Sequence, residues 1–253
     1  MRSIRVAFTM VVFAVATPVT WLVITCGVPF VRLTGGSVPR WRALVFHRWA
    51  RIIVRALGME VTVEGSPPPS PFLLVSNHLS YVDIVLIVSR VPCTFVARAD
   101  LKEWPLFGPM VPAGGTVFLD RGLKRDIPRV IEQLMVPYKA GVGVVIFPEG
   151  TSSNGENVPP FRSSLLEPAA QGRFPVYYAS IRYETPEGQP SARESVCWWG
   201  NMEFLPHLIG LFGLSRFSAH LTFGSEPIIN GDRKQLTTDL QEAVKSRFRP
   251  VPE

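Results

Sequence analysis

Val142-Gly143-Val144-Val145-Ile146-Phe147 runs directly into Pro148-Glu149-Gly150-Thr151-Ser152-Ser153-Asn154-Gly155. The first stretch is short, apolar and rich in β-branched residues, as a strand buried on both faces is. The second is small, hydroxyl-bearing or glycine, so the strand ends in a turn. Upstream, residues 126–138 carry Ile127, Val130, Ile131 and Leu134 on one face, at the period of a helix. Helix, buried strand and polar loop in that order predict an α/β domain with a largely parallel or mixed sheet.

The pattern continues outward. Short runs at 59–64, 72–75, 94–97, 116–119, 176–181 and 220–223 read as further strands. Helical spacing recurs at 84–88 and at 232–248, where Asp232 and Gln235 form a capping-box pattern. The expected architecture is a mixed, largely parallel sheet flanked by helices, with an N-terminal membrane-anchoring helix or helix pair. Residues 1–57 are expected to form the membrane-anchoring segment and a basic amphipathic helix, and residues 58–253 the domain that carries the chemistry.

The anchor rests on Val6 to Val31, which contains no charged residue. A bilayer-spanning helix needs about 20 apolar residues, and a cleavable signal has a core of only about 7–15. A retained anchor is therefore the better reading. Pro18 removes a backbone donor mid-run, leaving either one kinked span or two short helices in one leaflet. In residues 41–57, Arg48, Arg51 and Arg55 fall three and four apart beside apolar residues. That is a basic amphipathic helix for a lipid surface, or an ordinary helix with a solvated face.

Composition narrows the class. Of 253 residues, 47% are hydrophobic and 18% charged, which excludes a disordered chain. The net charge of +6 suits anionic partners. No zinc finger, helix-turn-helix or RNP motif is present, so no nucleic-acid partner is expected. Three scattered cysteines build neither a disulfide framework nor a zinc site, and a reducing compartment is the default.

Chemistry concentrates in three places. In Ser76-Asn77-His78-Leu79-Ser80-Tyr81-Val82-Asp83, a strand gives way to a helix. If Ser80 caps that helix, His78 lies in the preceding loop and Asp83 in the first turn, within reach of each other. A histidine oriented by a carboxylate is the base half of a catalytic triad; a structural loop histidine is the plainer alternative. Residues Phe147 to Gly155 could form an anion-holding nest, or merely a polar turn. Gly115-Thr116-Val117-Phe118-Leu119-Asp120-Arg121 places Arg121 after a strand, aimed at a phosphate or paired at the surface. There is no G-x-S-x-G elbow, no HExxH and no metal-ligand spacing, so no metal or resident cofactor is expected. His207, in Phe204-Leu205-Pro206-His207, is expected to be structural and could lie at the lipid surface.

Taken together, these blocks resemble the glycerolipid acyltransferase family that includes bacterial 1-acyl-glycerol-3-phosphate acyltransferase. Its N-H-x-x-x-x-D block is matched by Asn77, His78 and Asp83, and its F-P-E-G-T-R block by Phe147 to Thr151. Its Arg-terminated second block resembles residues 115–121, and its fourth resembles Phe174-Pro175-Val176-Tyr177-Tyr178-Ala179. The family's Arg after Glu-Gly-Thr is Ser152 here, and its Lys between the first blocks looks replaced by Arg98. Residues 151–155 and 160–165 are closer to the branch that includes lyso-ornithine lipid acyltransferases.

The resemblance implies acyl transfer from acyl-CoA or acyl carrier protein to a lysolipid hydroxyl. Lysophosphatidate is the first expectation, another lysolipid such as lyso-ornithine lipid the second, and an inactive lipid-binding scaffold the third. It further implies that His78 is the base and Asp83 its partner. Arg98 is implied near the oxyanion, with Arg121, Glu149, Gly150, Thr151 and Ser152 around the acceptor. Glu149 is expected to orient backbone or an arginine, because a carboxylate repels phosphate. The implied location is the inner membrane, active site towards the cytosol; oligomeric state is left open.

Overall fold

The computed structural model describes residues 2–98, 110–119 and 127–253. The helices are α1 (Arg2–Leu33), α2 (Val38–Ala56), α3 (Val82–Arg90), α4 (Met110–Ala113), α5 (Ile127–Lys139), α6 (Ser163–Gln171), α7 (Ala192–Ser195), α8 (Phe204–Phe212) and α9 (Arg233–Arg247). The strands are β1 (Met59–Glu64), β2 (Leu73–Ser76), β3 (Cys93–Arg98), β4 (Val117–Leu119), β5 (Gly143–Ile146), β6 (Val176–Glu184) and β7 (Phe217–Phe223).

They form one sheet in the order β1-β7-β6-β2-β5-β3-β4. Among the described strands, β6 and β7 alone pair antiparallel with each other. The sheet is therefore mixed and largely parallel, as the sequence predicts. Every residue of β2 and of β5 is buried. Strand alternation divides them between two cores. Leu74 and Val145 face α2, α3 and α8, with Trp49, Ile53, Leu86 and Leu211. Leu73, Val75, Val144 and Ile146 face the opposite layer, with Leu134, Leu166, Leu240 and Val244.

α1 is one helix with Pro18 and Pro29 inside it, not two short ones. Its 32 residues span about 48 Å at 1.5 Å each, more than the ~30 Å of a bilayer core. Ile4, Phe8, Val11, Val15, Val19 and Phe30 are exposed along it, the surface a membrane or apolar partner covers. The other side is stapled to the domain. Arg5 donates to the carbonyls of Leu57 and Leu214, and Trp49 Nε1 donates to Thr17 at 3.2 Å. Gly27 lets Trp41 lie against the helix, since a Cβ there would meet the indole at 2.5 Å. α2 has Ser37 as its N-cap, and Ala50, Ile53 and Val54 enter the same core as the sheet.

Asp232 caps α9 by accepting from the Lys234 and Gln235 amides. The reciprocal arm of the expected capping box is missing, because the Asp232 N–H donates to Asn230 Oδ1 at 2.9 Å, while the Gln235 side chain donates to Asp239.

Candidate active site

Two neighbouring parallel strands build the site. β2 and β5 pair in register, Val75 opposite Ile146, so the loops leaving their carboxyl ends lie side by side. Such ends are where open α/β sheets place ligands. Asn77 holds the first loop by a pair of bonds to the Ile181 backbone, donating at 2.9 Å and accepting at 2.7 Å.

His78 Nδ1 lies 2.7 Å from Asp83 Oδ2. Asp83 is fully buried, whereas 20% of the His78 side chain is exposed. The same oxygen accepts the N–H groups of Leu79 at 2.7 Å and Ser80 at 3.0 Å. Asp83 Oδ1 accepts the Tyr183 hydroxyl at 2.7 Å. These bonds commit Nδ1 and leave Nε2 for a substrate proton. The imidazole stacks on Phe147, with ring centroids 4.1 Å apart.

The helix start differs from the expected Ser80 cap. Tyr81 is the N-cap in helical geometry, and the buried Ser80 hydroxyl has no partner among the described residues. Half of a capping box survives, since Asp83 accepts the Ser80 amide. Asp83 still stands in the first turn, which brings it to His78.

The Glu149 loop locks against this one. Glu149 Oε1 accepts the His78 amide at 3.1 Å, and the Glu149 carbonyl accepts Arg162 Nε at 3.1 Å. Glu149 is 3% exposed, so it sits behind the site rather than lining open space. Burial pushes its carboxyl up to about 9; the His78 amide opposes this and the Asp83 charge adds to it. Ser153 donates its amide to the His78 carbonyl at 2.9 Å. Gly150 takes a φ of 75°, a conformation that other residues rarely adopt. Thr151 is exposed. The half-buried Ser152 donates its hydroxyl to the Trp198 carbonyl.

Arg98 ends β3, its backbone in register with Leu119. Arg121 lies outside the described residues. Sequence reading missed Tyr183 and Trp198. Tyr183 is 100 residues from its partner, and nothing local marks it. The Trp198 amide bonds the Leu79 carbonyl at 2.8 Å, tying the segment after α7 to both loops. His207 does not simply face lipid: its ring lies 2.9 Å from the Tyr81 hydroxyl and 2.9 Å from the Cys197 carbonyl.

Beside the histidine loop is an apolar cavity. It is lined by Tyr81, Val82 and Val85, and by Phe13 of α1, Trp49 of α2 and Phe212 of α8. A second apolar groove, bordered by Met10, Trp21 and Leu205, shares Phe13 and Phe212 with it and opens along α1. Such surfaces suit an acyl chain, and the His78–Asp83 pair on the neighbouring loop has the geometry of a base with its carboxylate partner.

A family model described as Acyltransferase matches residues 59–182. The lyso-ornithine lipid O-acyltransferase of Pseudomonas aeruginosa is 34% identical over 85% of this chain and 82% of that protein. The chain belongs to the acyltransferase family. The 1-acyl-sn-glycerol-3-phosphate acyltransferase of Neisseria meningitidis serogroup B is 31% identical to this acyltransferase, over 83% of each chain. The fold of this acyltransferase is also that of the crystallised 1-acyl-sn-glycerophosphate acyltransferase PlsC of Thermotoga maritima. The TM-score is 0.65 at 23% identity, over 98% of both chains. The enzyme is an acyltransferase whose family implies a lysolipid acceptor and an acyl donor, and its apolar α1 suggests membrane association.

Proposed function

We propose that this acyltransferase moves a fatty acyl group from an acyl thioester to the free hydroxyl of a lysolipid without phosphate, lyso-ornithine lipid. The observation that carries this reading is the Ser152 hydroxyl bonded to the Trp198 carbonyl. The family's motif has an arginine there, the side chain best suited to phosphate oxygens. A neutral, already engaged serine suits an acceptor that lacks one. The Pseudomonas aeruginosa relative's acceptor agrees.

The second reading is 1-acyl-glycerol-3-phosphate as acceptor, giving phosphatidate in phospholipid biosynthesis. The Neisseria relative and the intact Phe147-Pro148-Glu149-Gly150-Thr151 block favour it. Arg121 is then the phosphate ligand.

The chemistry is the same for both. His78 Nε2 removes the hydroxyl proton as the oxygen attacks the thioester carbonyl, so no free alkoxide forms. Asp83 holds the tautomer and stabilises the imidazolium. Backbone N–H groups and Arg98 meet the oxyanion. The tetrahedral intermediate expels the thiolate, which takes the proton back from His78. The acceptor hydroxyl replaces an enzyme nucleophile, so no acyl-enzyme arises. The apolar cavity takes the acyl chain. The donor is acyl-CoA or acyl carrier protein, both anionic and cytosolic, which sets the active site towards the cytosol at the inner membrane. No resident cofactor is required.

The test is an acceptor panel in detergent with labelled acyl-CoA and, separately, acyl carrier protein, using His78→Ala as the blank. Label only in ornithine lipid supports the first reading. Label only in phosphatidate replaces it with the second. No label with any acceptor or donor overturns both.

A further inference from the structure

We infer that Tyr183 is a positioning residue for catalysis: its hydroxyl holds the outer oxygen of Asp83 so that the inner oxygen faces His78. The inference goes beyond the acceptor assignment and rests only on His78 acting as the base.

The geometry is complete on both sides of the carboxylate. Oδ2 receives His78 Nδ1 and two backbone amides, while Oδ1 receives the Tyr183 hydroxyl at 2.7 Å. Among the described residues, that hydroxyl is the one hydrogen-bond donor recorded for Oδ1. Both residues are wholly buried. A carboxylate in such a place needs every lone-pair direction met, and a donor to a charged acceptor is a strong bond. Its rotation about χ2 is held by bonds at both oxygens. The phenol is held by β6 and by an edge contact to Phe217 at 6.1 Å. Burial first, and the Asp83 charge second, raise the phenol well above its ordinary pKa. It therefore stays an O–H donor through the working range. Besides pairing with His78, Asp83 shifts the pKa of ionisable groups among the described residues that include Cys197, after α7, and Glu149, after β5. Burial raises the pKa of both, which keeps them uncharged near neutral pH.

A donor on Oδ1 also draws charge from Oδ2. Removing it makes Oδ2 a stronger acceptor for the imidazole N–H. The consequence differs from that of a lost packing contact.

The experiment uses the full chain in detergent and Tyr183→Phe, which removes only the oxygen. With whichever lysolipid the wild type accepts, kcat is expected to fall about tenfold, the scale of one bond to a charged group. KM for the donor stays constant, and the acid limb of the kcat/KM profile moves to higher pH. Asp83→Asn combined with Tyr183→Phe is expected to be no worse than Asp83→Asn alone, because the second change acts through the first. A substrate-free readout separates this idea from the acceptor assignment: the His78 Nδ1–H proton resonance should move downfield in Tyr183→Phe. An unmoved resonance with an unmoved acid limb, or additive losses in the double variant, overturns the inference. If Tyr183→Phe does not fold, difluorotyrosine at position 183 keeps the ring and strengthens the donor. It should move the resonance upfield and the acid limb to lower pH; no movement overturns the inference equally.

Discussion

Glu149 Oε1 accepts the backbone N–H of His78 at 3.1 Å, from one strand loop to the next. The bond couples two motifs 71 residues apart. It gives Glu149 a task that needs an acceptor oxygen rather than a charge, because burial keeps the carboxyl protonated up to about pH 9.

Glu149→Gln should therefore retain activity within a few-fold at neutral pH, since the amide oxygen can still accept the His78 N–H. Glu149→Ala should lose far more, about a hundredfold, by leaving a buried amide unsatisfied and the histidine loop loose. Steady-state kinetics on both variants checks this. Equal losses would mean that the negative charge itself is needed.

The same residue predicts a pH dependence of stability. Its folded pKa of about 9 lies above its ordinary 4.5. Between those values the native state holds a proton that the unfolded chain has released. Stability from this group is thus whole below pH 4.5 and lost as pH rises towards 9, by up to about 1.4 kcal/mol per pH unit. Thermal unfolding of wild type and Glu149→Gln in the same detergent should diverge from pH 6 to pH 9, the wild type losing more. Parallel curves would show that Glu149 is ionised in the native state.

Asp83→Asn should leave lipid binding intact and reduce turnover roughly a thousandfold or more, from the wrong histidine tautomer and an unsupported imidazolium. His78→Ala should abolish transfer, and circular dichroism should show the fold unchanged, because the His78 side chain is 20% exposed. Turnover unaffected by Asp83→Asn would reduce Asp83 to a structural acceptor at the start of α3.

Val85 lines the apolar cavity between α3 and the N-terminal helices. Val85→Phe should raise the use of decanoyl relative to hexadecanoyl thioesters compared with the wild type. Each methylene kept out of an apolar site costs about 0.8 kcal/mol, so a few suffice to invert a preference. Competition between the two donors measures the ratio, and an unchanged ratio would place the chain elsewhere.

Gly143 has no room for a side chain: a Cβ there would lie 2.0 Å from the Phe72 ring. Gly143→Ala should destabilise the domain by about 1–3 kcal/mol through overpacking beside the central strands. The unfolding midpoint in denaturant reads it directly.

The seven strands were legible because each is a short run rich in β-branched or aromatic residues between turn formers. Asp83 was legible beside His78 because five residues of loop and first helical turn suffice to bring them together. The Ser80 cap was misread for a local reason. The chain enters α3 already helical at Tyr81, so Ser80 offers its amide to Asp83 while its hydroxyl finds no partner among the described residues. The choice between one N-terminal helix and two was also open in the sequence, since proline weakens a helix without always ending it.

By itself, the sequence determined the α/β class, the apolar N-terminal segment and the His–Asp pair, because these arise from local periodicity and short spacing. Only the tertiary structure decided which distant groups complete the site. Tyr183 on Asp83, Glu149 on the His78 amide, Trp198 between the two loops and α1 closing the cavity all depend on strand order and register. Those contacts join residues far apart along the chain, and no local pattern encodes a partner that only the folded sheet brings near.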